Sequence, residues 1–530
     1  MALSNLLSPS SALLLLQQNS SFVIVLLLTA SFYALISYLN SPWRRLPPGP
    51  PRLPMIGNYH RIPDNRWLIF TEWKKTYGDI IYLNMFGQSF LVLNSHKVAT
   101  DLLDRRVGIY SDRPSYIVAS DFMCSGLFLF LAKYSDAWRR MRKASSEILR
   151  KSAMPDFHHK QTKEALLLAS GMLAQPQRWR ANFERAAASL IMSVIYDTPT
   201  LASEHNPSVK RIVDVTVRLG RSVRPGAHLV EFFKFLLYIP DSCARWKRDA
   251  KNWFIRDSQM FEELFNGVRT NLAKGEARPS VCATLITEQD RHNLSKREGA
   301  WLAASLYSAG ADTTASVLSW WLLAMLAYPE TQKRAQAELD AVIGRSRPPT
   351  FADMDSLPYT RAMINEVHRW RPIGPLGFPH LSTEDDWYEG YFIPAGTICF
   401  ANIWCLNLDP DVYGPDAGQF NPARHLDARA HTASGSSETR EENHAAYGFG
   451  RRICVGRHLA NNSLFIDIAT ILWAMNIERA TDENGNELPL DVDGQIEDGL
   501  IVRPIPFELK VTPRFPEVVS ILEQAKELLA

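Results

Sequence analysis

Tyr447-Gly-Phe-Gly450-Arg-Arg452-Ile-Cys454-Val-Gly456-Arg-His-Leu-Ala460 is the stretch on which the reading of the fold turns. It follows a polar run, DARAHTASGSSETREEN at 427–443, and leads into the apolar helical run Leu464 to Met475. A cysteine at the mouth of a helix feels the positive end of the helix dipole, and Arg451 and Arg452 add positive charge. Both effects favour the thiolate, the form that ligates metals. Gly450 and Gly456 permit a tight turn and the close approach of a flat group. A small buried hydrophobe is the commonest alternative fate of a free cysteine. Zinc is disfavoured, because no partner cysteine lies at ligand spacing.

Outward from this stretch, the chain has 530 residues, a formal charge of +2, 46% hydrophobic and 22% charged residues. That composition suits a globular protein and gives no basic footprint for nucleic acid. Six irregularly spaced cysteines argue for a reducing compartment rather than a disulfide scaffold. Residues 1–43 contain no Lys, Arg, Asp or Glu, and Phe22 to Leu39 is an apolar run long enough to cross a bilayer. Trp43 followed by Arg44 and Arg45 marks a cytosolic flank, so 1–45 reads as a luminal N-terminus and transmembrane anchor rather than a cleaved signal peptide. Residues 46–52 (LPPGPPR) read as a proline-rich hinge, a short stiff spacer, and 53–530 as the body of the protein. Asp79 to Val92 predicts two short strands around Gly87, 136–330 is mainly helical, and 376–404 returns to strand.

Ala300 to Tyr328 is the most apolar interior stretch, yet it carries Ser305, Ser308, Gly310, Asp312, Thr313 and Thr314. An Asp at a bilayer centre costs about 2.5–3.5 kcal/mol, so a core helix is favoured over a second span. Small residues and hydroxyls in such a helix suit a flat ligand and a proton relay. Equally, they suit a close helix crossing with threonines bonded back to their own turn.

The cysteine segment resembles the heme-binding loop of the cytochrome P-450 family, Phe-x-x-Gly-x-Arg-x-Cys-x-Gly with Ala beyond: Gly450, Arg452, Cys454, Gly456 and Ala460 match, and Tyr447 stands where Phe is usual. Other motifs fall into register over nearly the whole chain. Glu366-Val-His-Arg369 is similar to the family's Glu-x-x-Arg helix, and Arg424 in Asn-Pro422-Ala-Arg424 to the third member of its structural triad, followed by His425 rather than an aromatic. Trp138-Arg-Arg-Met-Arg142 is similar to the Trp-x-x-x-Arg that holds a heme propionate, and His380 and Arg452 match further propionate contacts. The resemblance implies a mainly α cytochrome P-450 fold, a helix-rich single domain with small β-sheets behind an N-terminal transmembrane helix. It implies heme b ligated by Cys454, Ala309 in the distal helix, and Asp312 with Thr313 as the proton-delivery pair.

The implied activity is that of a heme-thiolate monooxygenase taking O2 and, through NADPH-cytochrome P-450 reductase and in some cases cytochrome b5, electrons. Arg139, Arg140, Lys143 and Arg451 would form the docking face for the reductase. Substrate contacts are expected from Phe122, Phe128, Phe232, Ser305, Ser308, Ile373, Leu376 and Leu500, mostly apolar and therefore suited to a lipophilic molecule. The style of the motifs resembles membrane-bound enzymes of mushroom-forming fungi, which implies a terpenoid of secondary metabolism and the endoplasmic reticulum membrane. A sterol, fatty acid, aromatic metabolite or xenobiotic remains an alternative substrate. A heme-thiolate isomerase or dehydratase, and a non-catalytic membrane heme protein, are the competing functions. Neither needs the Asp312–Thr313 relay.

Overall fold

A computed structural model describes residues 9–201, 207–224, 226–426, 442–497 and 501–529. Helix α1 (Pro9–Asn40) leads the chain. Within the described residues it supplies the one segment, Ile24–Arg45, long and apolar enough to cross a membrane, and none of that segment is covered by the rest of the protein. The proline-rich segment after it is docked rather than a free spacer. Tyr82 donates its N–H to the Pro48 carbonyl at 2.8 Å, and a Cβ on Gly49 would lie 2.0 Å from the Tyr82 carbonyl oxygen. Prolines cannot donate to a ladder, but their carbonyls accept, and that is how this stretch is held.

The strands are few and short: β1 (Ile80–Met85), β2 (Gln88–Leu93), β3 (His380–Leu381), β4 (Asp386–Tyr388), β5 (Tyr391–Ile393), β6 (Ile398–Ala401), β7 (Met475–Arg479), β8 (Gln495–Glu497), β9 (Val502–Pro504) and β10 (Leu509–Pro513). The principal sheet runs β1-β2-β6-β3, with β2 parallel to β6. Register in this sheet sets His380 opposite Cys399 and so fixes one wall of the site.

Helices make up the body. Five of them position the site: α2 (Asp136–Ile148), α3 (Trp179–Tyr196), α4 (Lys296–Ala327), α5 (Pro358–Trp370) and α6 (Arg457–Ala474). Ser135 and Ser295 cap α2 and α4 with their side chains, and Glu298 closes a capping box on the Ser295 amide. Pro329, just past its end, stops α4. Apolar residues occur all round α4, so it is a core helix, as its polar interruptions predicted, and it separates two large apolar clusters. One contains Trp320, Trp321 and Trp370; the other contains Phe128, Trp301 and Phe261. Helix α6 is buried along almost its whole length, so the cysteine loop rests on a rigid base.

Ser295→Ala removes the cap of the central helix and should cost about 1 kcal/mol. Urea unfolding followed by circular dichroism checks this: the midpoint should fall with an unchanged slope.

Candidate functional site

Cys454 sits between two short turns. Its N–H donates to the Tyr447 carbonyl at 2.8 Å, and the Ala460 N–H donates to Gly456 to open α6. Gly450 has φ +56°, its N–H donates to Asp104 Oδ1 at 2.6 Å, and a Cβ there would meet the Leu103 carbonyl oxygen at 2.3 Å. No other residue fits that position. Gly456 differs: its φ is −88°, and a Cβ there would enter open space. The backbone does not require that glycine, so its value lies in leaving room beside the cysteine.

The electrostatics of the thiol depart from expectation. Burial raises its pKa, opposed by the Gly456 N–H and by the charges of Arg142 and Arg457. Arg451 instead reaches the Tyr134 hydroxyl, and Arg452 the Ser111 carbonyl. The two arginines before Cys454 therefore do not activate it; Gly456 and Arg457 after it, with Arg142, oppose the effect of burial, and a bound metal ion, which deprotonates a coordinating thiol outright, would complete the shift.

Beside the cysteine lies a concentration of guanidinium groups. The Arg452 guanidinium is stacked 3.9 Å over the Trp138 ring, and both its Nη atoms are buried without a hydrogen-bond partner. Burial and the nearby Arg113 pull its pKa down to about 8. Arg142 donates to the Ile453 carbonyl at 2.6 Å. Arg113, which sequence reasoning missed, is buried and donates to the carbonyls of Phe130, Phe378 and Pro379. A buried guanidinium with idle donors next to two like charges fits an anionic group, and heme carboxylates beside a thiolate loop fit this donor set. Two of the residues expected to contact heme have protein partners in this structure. The Trp138 indole already donates to the Leu129 carbonyl at 3.1 Å, so the ring serves as a platform for Arg452. His380 places Nδ1 2.7 Å from the Tyr110 carbonyl; burial lowers its pKa to about 3, and the neutral ring then offers Nε2 only as an acceptor.

The triad is complete and larger than expected. Glu366 receives Arg369 through two bonds of 2.7 Å, Arg424 at 3.1 Å, the Asn421 N–H at 2.7 Å and His425 Nε2 at 2.8 Å. His425, in place of an aromatic, is thus a third side chain on the carboxylate and a fourth member of the cluster. Burial alone would raise the Glu366 pKa, but the bonds from Arg369 and His425 hold it at about 2. Asn407, also unforeseen, ties this helix to the cysteine loop by donating to the His368 carbonyl and accepting from the Ala445 N–H.

On α4, Thr313 donates back to the Ala309 carbonyl at 2.7 Å, and Asp312 is ion-paired with Arg503 on β9. The Ser305 hydroxyl donates to the Trp301 carbonyl and accepts the Leu129 N–H. Ser308 keeps a buried hydroxyl with no partner. Phe122 packs edge-on against Trp246, and Phe232 against Phe86, so both face neighbouring elements. Phe128 is buried against Phe130 and Trp301. Ile373 and Leu376 border the core cluster, with the Ile373 carbonyl accepting the Val502 N–H at 2.8 Å. Leu500 lies outside the described residues, as does most of the polar loop at 427–443.

Comparison with known proteins agrees with this geometry. Residues 47–511 match the family profile Cytochrome P450. A cytochrome P450 monooxygenase of Armillaria gallica is 60% identical over 94% of this chain and 95% of its own length. The cytochrome P450 monooxygenase iboC of Amanita muscaria is 40% identical over 92% of this chain and 94% of its own. A solved zebra fish cytochrome P450, in a structure with abiraterone, shares the fold at a TM-score of 0.66 and 23% identity, covering 85% of this chain and all of that one.

Glu366→Ala should leave two guanidiniums and a histidine around an empty position and cost about 3–5 kcal/mol. Thermal unfolding and heme retention on purification check it. Acid should also weaken the fold. Burial holds His368 neutral, lowering its pKa from 6.5 to about 3. The unfolded chain therefore binds more protons below pH 6.5, so this contribution to stability is intact above that value and drains away toward about pH 3. In His368→Gln the fall of melting temperature with pH should be shallower across that window.

Proposed function

Because the chain belongs to the cytochrome P450 family of monooxygenases, we propose that Cys454 ligates its heme b and that it inserts oxygen from O2 into a lipophilic substrate. The observation that carries this assignment is the Arg452 guanidinium, two residues from Cys454, whose two Nη atoms are buried without a hydrogen-bond partner. Thiolate-ligated heme, when bound, supplies the oxygen activation. The protein supplies the rest. Arg452, with Arg113 and Arg142 close by, binds the carboxylates, and Trp138 stiffens Arg452 from below. Thr313 spends its proton on Ala309, so its oxygen accepts a hydrogen bond from a group beside the helix. Asp312 is over a third exposed, at 39%, and carries protons inward from solvent when it leaves Arg503.

Lipophilic substrate and membrane go together in this reading. Besides α1, Met55, Tyr59, Leu229, Phe235 and Tyr238 are exposed, and the ring contacts Tyr59–Phe86–Phe232 join the segment around Tyr59 to the one around Phe232. Such side chains lie against a bilayer more readily than in water. They support a single-pass protein of the endoplasmic reticulum membrane drawing substrate from the lipid, with a terpenoid as the class of choice. Electrons come from NADPH-cytochrome P-450 reductase, docked on the face of Arg139, Arg140, Lys143 and Arg451. Arg140 is committed to Glu298 on α4, so Lys143 and Arg451 carry most of that attraction.

Membranes co-expressing the protein with a reductase should convert a member of a terpenoid panel to a product one oxygen heavier, only with NADPH and O2. No product beside an intact carbon monoxide spectrum would reject the substrate class alone. Cys454→Ser should abolish the thiolate spectrum. Thr313→Ala should consume NADPH while releasing peroxide, with product per NADPH down by roughly tenfold or more.

A further inference from the structure

Tyr447 stands where a phenylalanine is usual, and its hydroxyl is the centre of a directed hydrogen-bond chain. Asn461 Nδ2 donates to Glu442 Oε2 at 2.8 Å. A carboxylate accepts only, so it fixes the amide with Oδ1 turned the other way, toward Tyr447. The phenol donates to that oxygen at 2.5 Å. Its own oxygen then presents only lone pairs to His368 Nε2, 2.9 Å away, so the imidazole carries its proton on Nε2 and donates. The chain therefore runs one way, from His368 through Tyr447 and Asn461 to Glu442. His368 is further held by stacking on His444, with ring centroids 5.0 Å apart, and His444 takes the Ala446 N–H on Nδ1.

These contacts come from three different segments. His368 belongs to α5, two residues from Glu366; Asn461 belongs to the first turns of α6; Tyr447 belongs to the loop between. The main-chain carbonyl of Tyr447 accepts the Cys454 N–H at 2.8 Å. A phenylalanine ring has no polar anchor and leaves that carbonyl to the loop alone.

We propose that Tyr447 is a positioning residue for Cys454: the phenol, clamped between His368 and Asn461, fixes the carbonyl that holds the cysteine amide and so keeps the sulfur where it ligates heme iron. The phenol spends its proton on Asn461, so it acts through the loop and not by bonding to the sulfur. The inference rests on Cys454 being the ligand.

The test uses the heme-loaded full chain. The reduced carbon monoxide complex is placed in mild urea, and the rate at which its thiolate-type spectrum converts to the thiol-type spectrum is measured beside the melting temperature by circular dichroism. Removing an outer partner of a metal ligand commonly costs 10–100-fold, so Tyr447→Phe should convert about tenfold faster with little change in melting temperature. His368→Leu should match it, His368→Gln, which keeps a donor, should restore the slow rate, and the double variant Tyr447→Phe/His368→Leu should be no faster than either single one. Wild-type rates in Tyr447→Phe and His368→Leu, or multiplying effects in the double variant, overturn the proposal. So does acceleration that merely tracks a lowered melting temperature. If Tyr447→Phe fails to fold, the His368→Leu and His368→Gln pair decides alone. A thiolate spectrum persisting in Cys454→Ser would reject the ligand assignment instead.

Discussion

A single carboxylate, Glu366, with no exposed surface, governs how the proximal half of the protein is assembled. Two arginines, a histidine and a main-chain amide converge on it, and Arg369 passes the connection on to the carbonyls of Asn407, Ala417 and Gln419. A buried ion pair of this kind is poor value as stabilisation, because desolvation offsets most of the attraction. Its effect is on geometry. An apolar core in the same place would tolerate many arrangements of the segment 407–425, whereas a carboxylate with five donors tolerates one.

The cysteine loop inherits that definition. Asn407 joins the Glu366 helix to Ala445, and Arg369 joins it to the segment before the loop, so the loop's entry is set from α5 while its exit is set by α6. Gly450 completes the arrangement by letting the backbone press against Leu103. On the other side, Arg142 grips Ile453. The sulfur is thereby placed by backbone contacts from four directions, with little left to the side chain itself.

Motifs that are contiguous in sequence were legible in it: the cysteine loop, the Glu366–Arg369 turn, the two strands around Gly87, and α4 as a core helix. Contacts between distant segments were not. Arg113 carries no motif, and its role exists only because residues 378 and 379 are brought to it. Asn407 and Asp104 bridge segments some 38 and 346 residues apart. Adjacency also misled. Arg451 and Arg452 stand next to Cys454 in the chain but point to Tyr134 and Ser111, and the cations that act on the thiol are Arg142 from α2 and Arg457 at the start of α6. The donors of Ser305 and Trp138 were read as available to ligands, and both are consumed by the carbonyls of their own surroundings, an outcome that residue type cannot reveal.

Arg503 links two properties that enzyme engineering treats as separate. It extends from β9 to Asp312, and β9 is bolted at Val502 to the Ile373 carbonyl and to the Trp320 indole of α4. The Asp312 carboxylate on α4 therefore has a counter-ion on the C-terminal hairpin of β8 and β9, which Val502 ties to Ile373. Grafting that hairpin from a relative to change which molecules are accepted also replaces the lever on Asp312. Under the proposed function, substrate range and the efficiency with which electrons are converted to product would be inherited together, as one cassette.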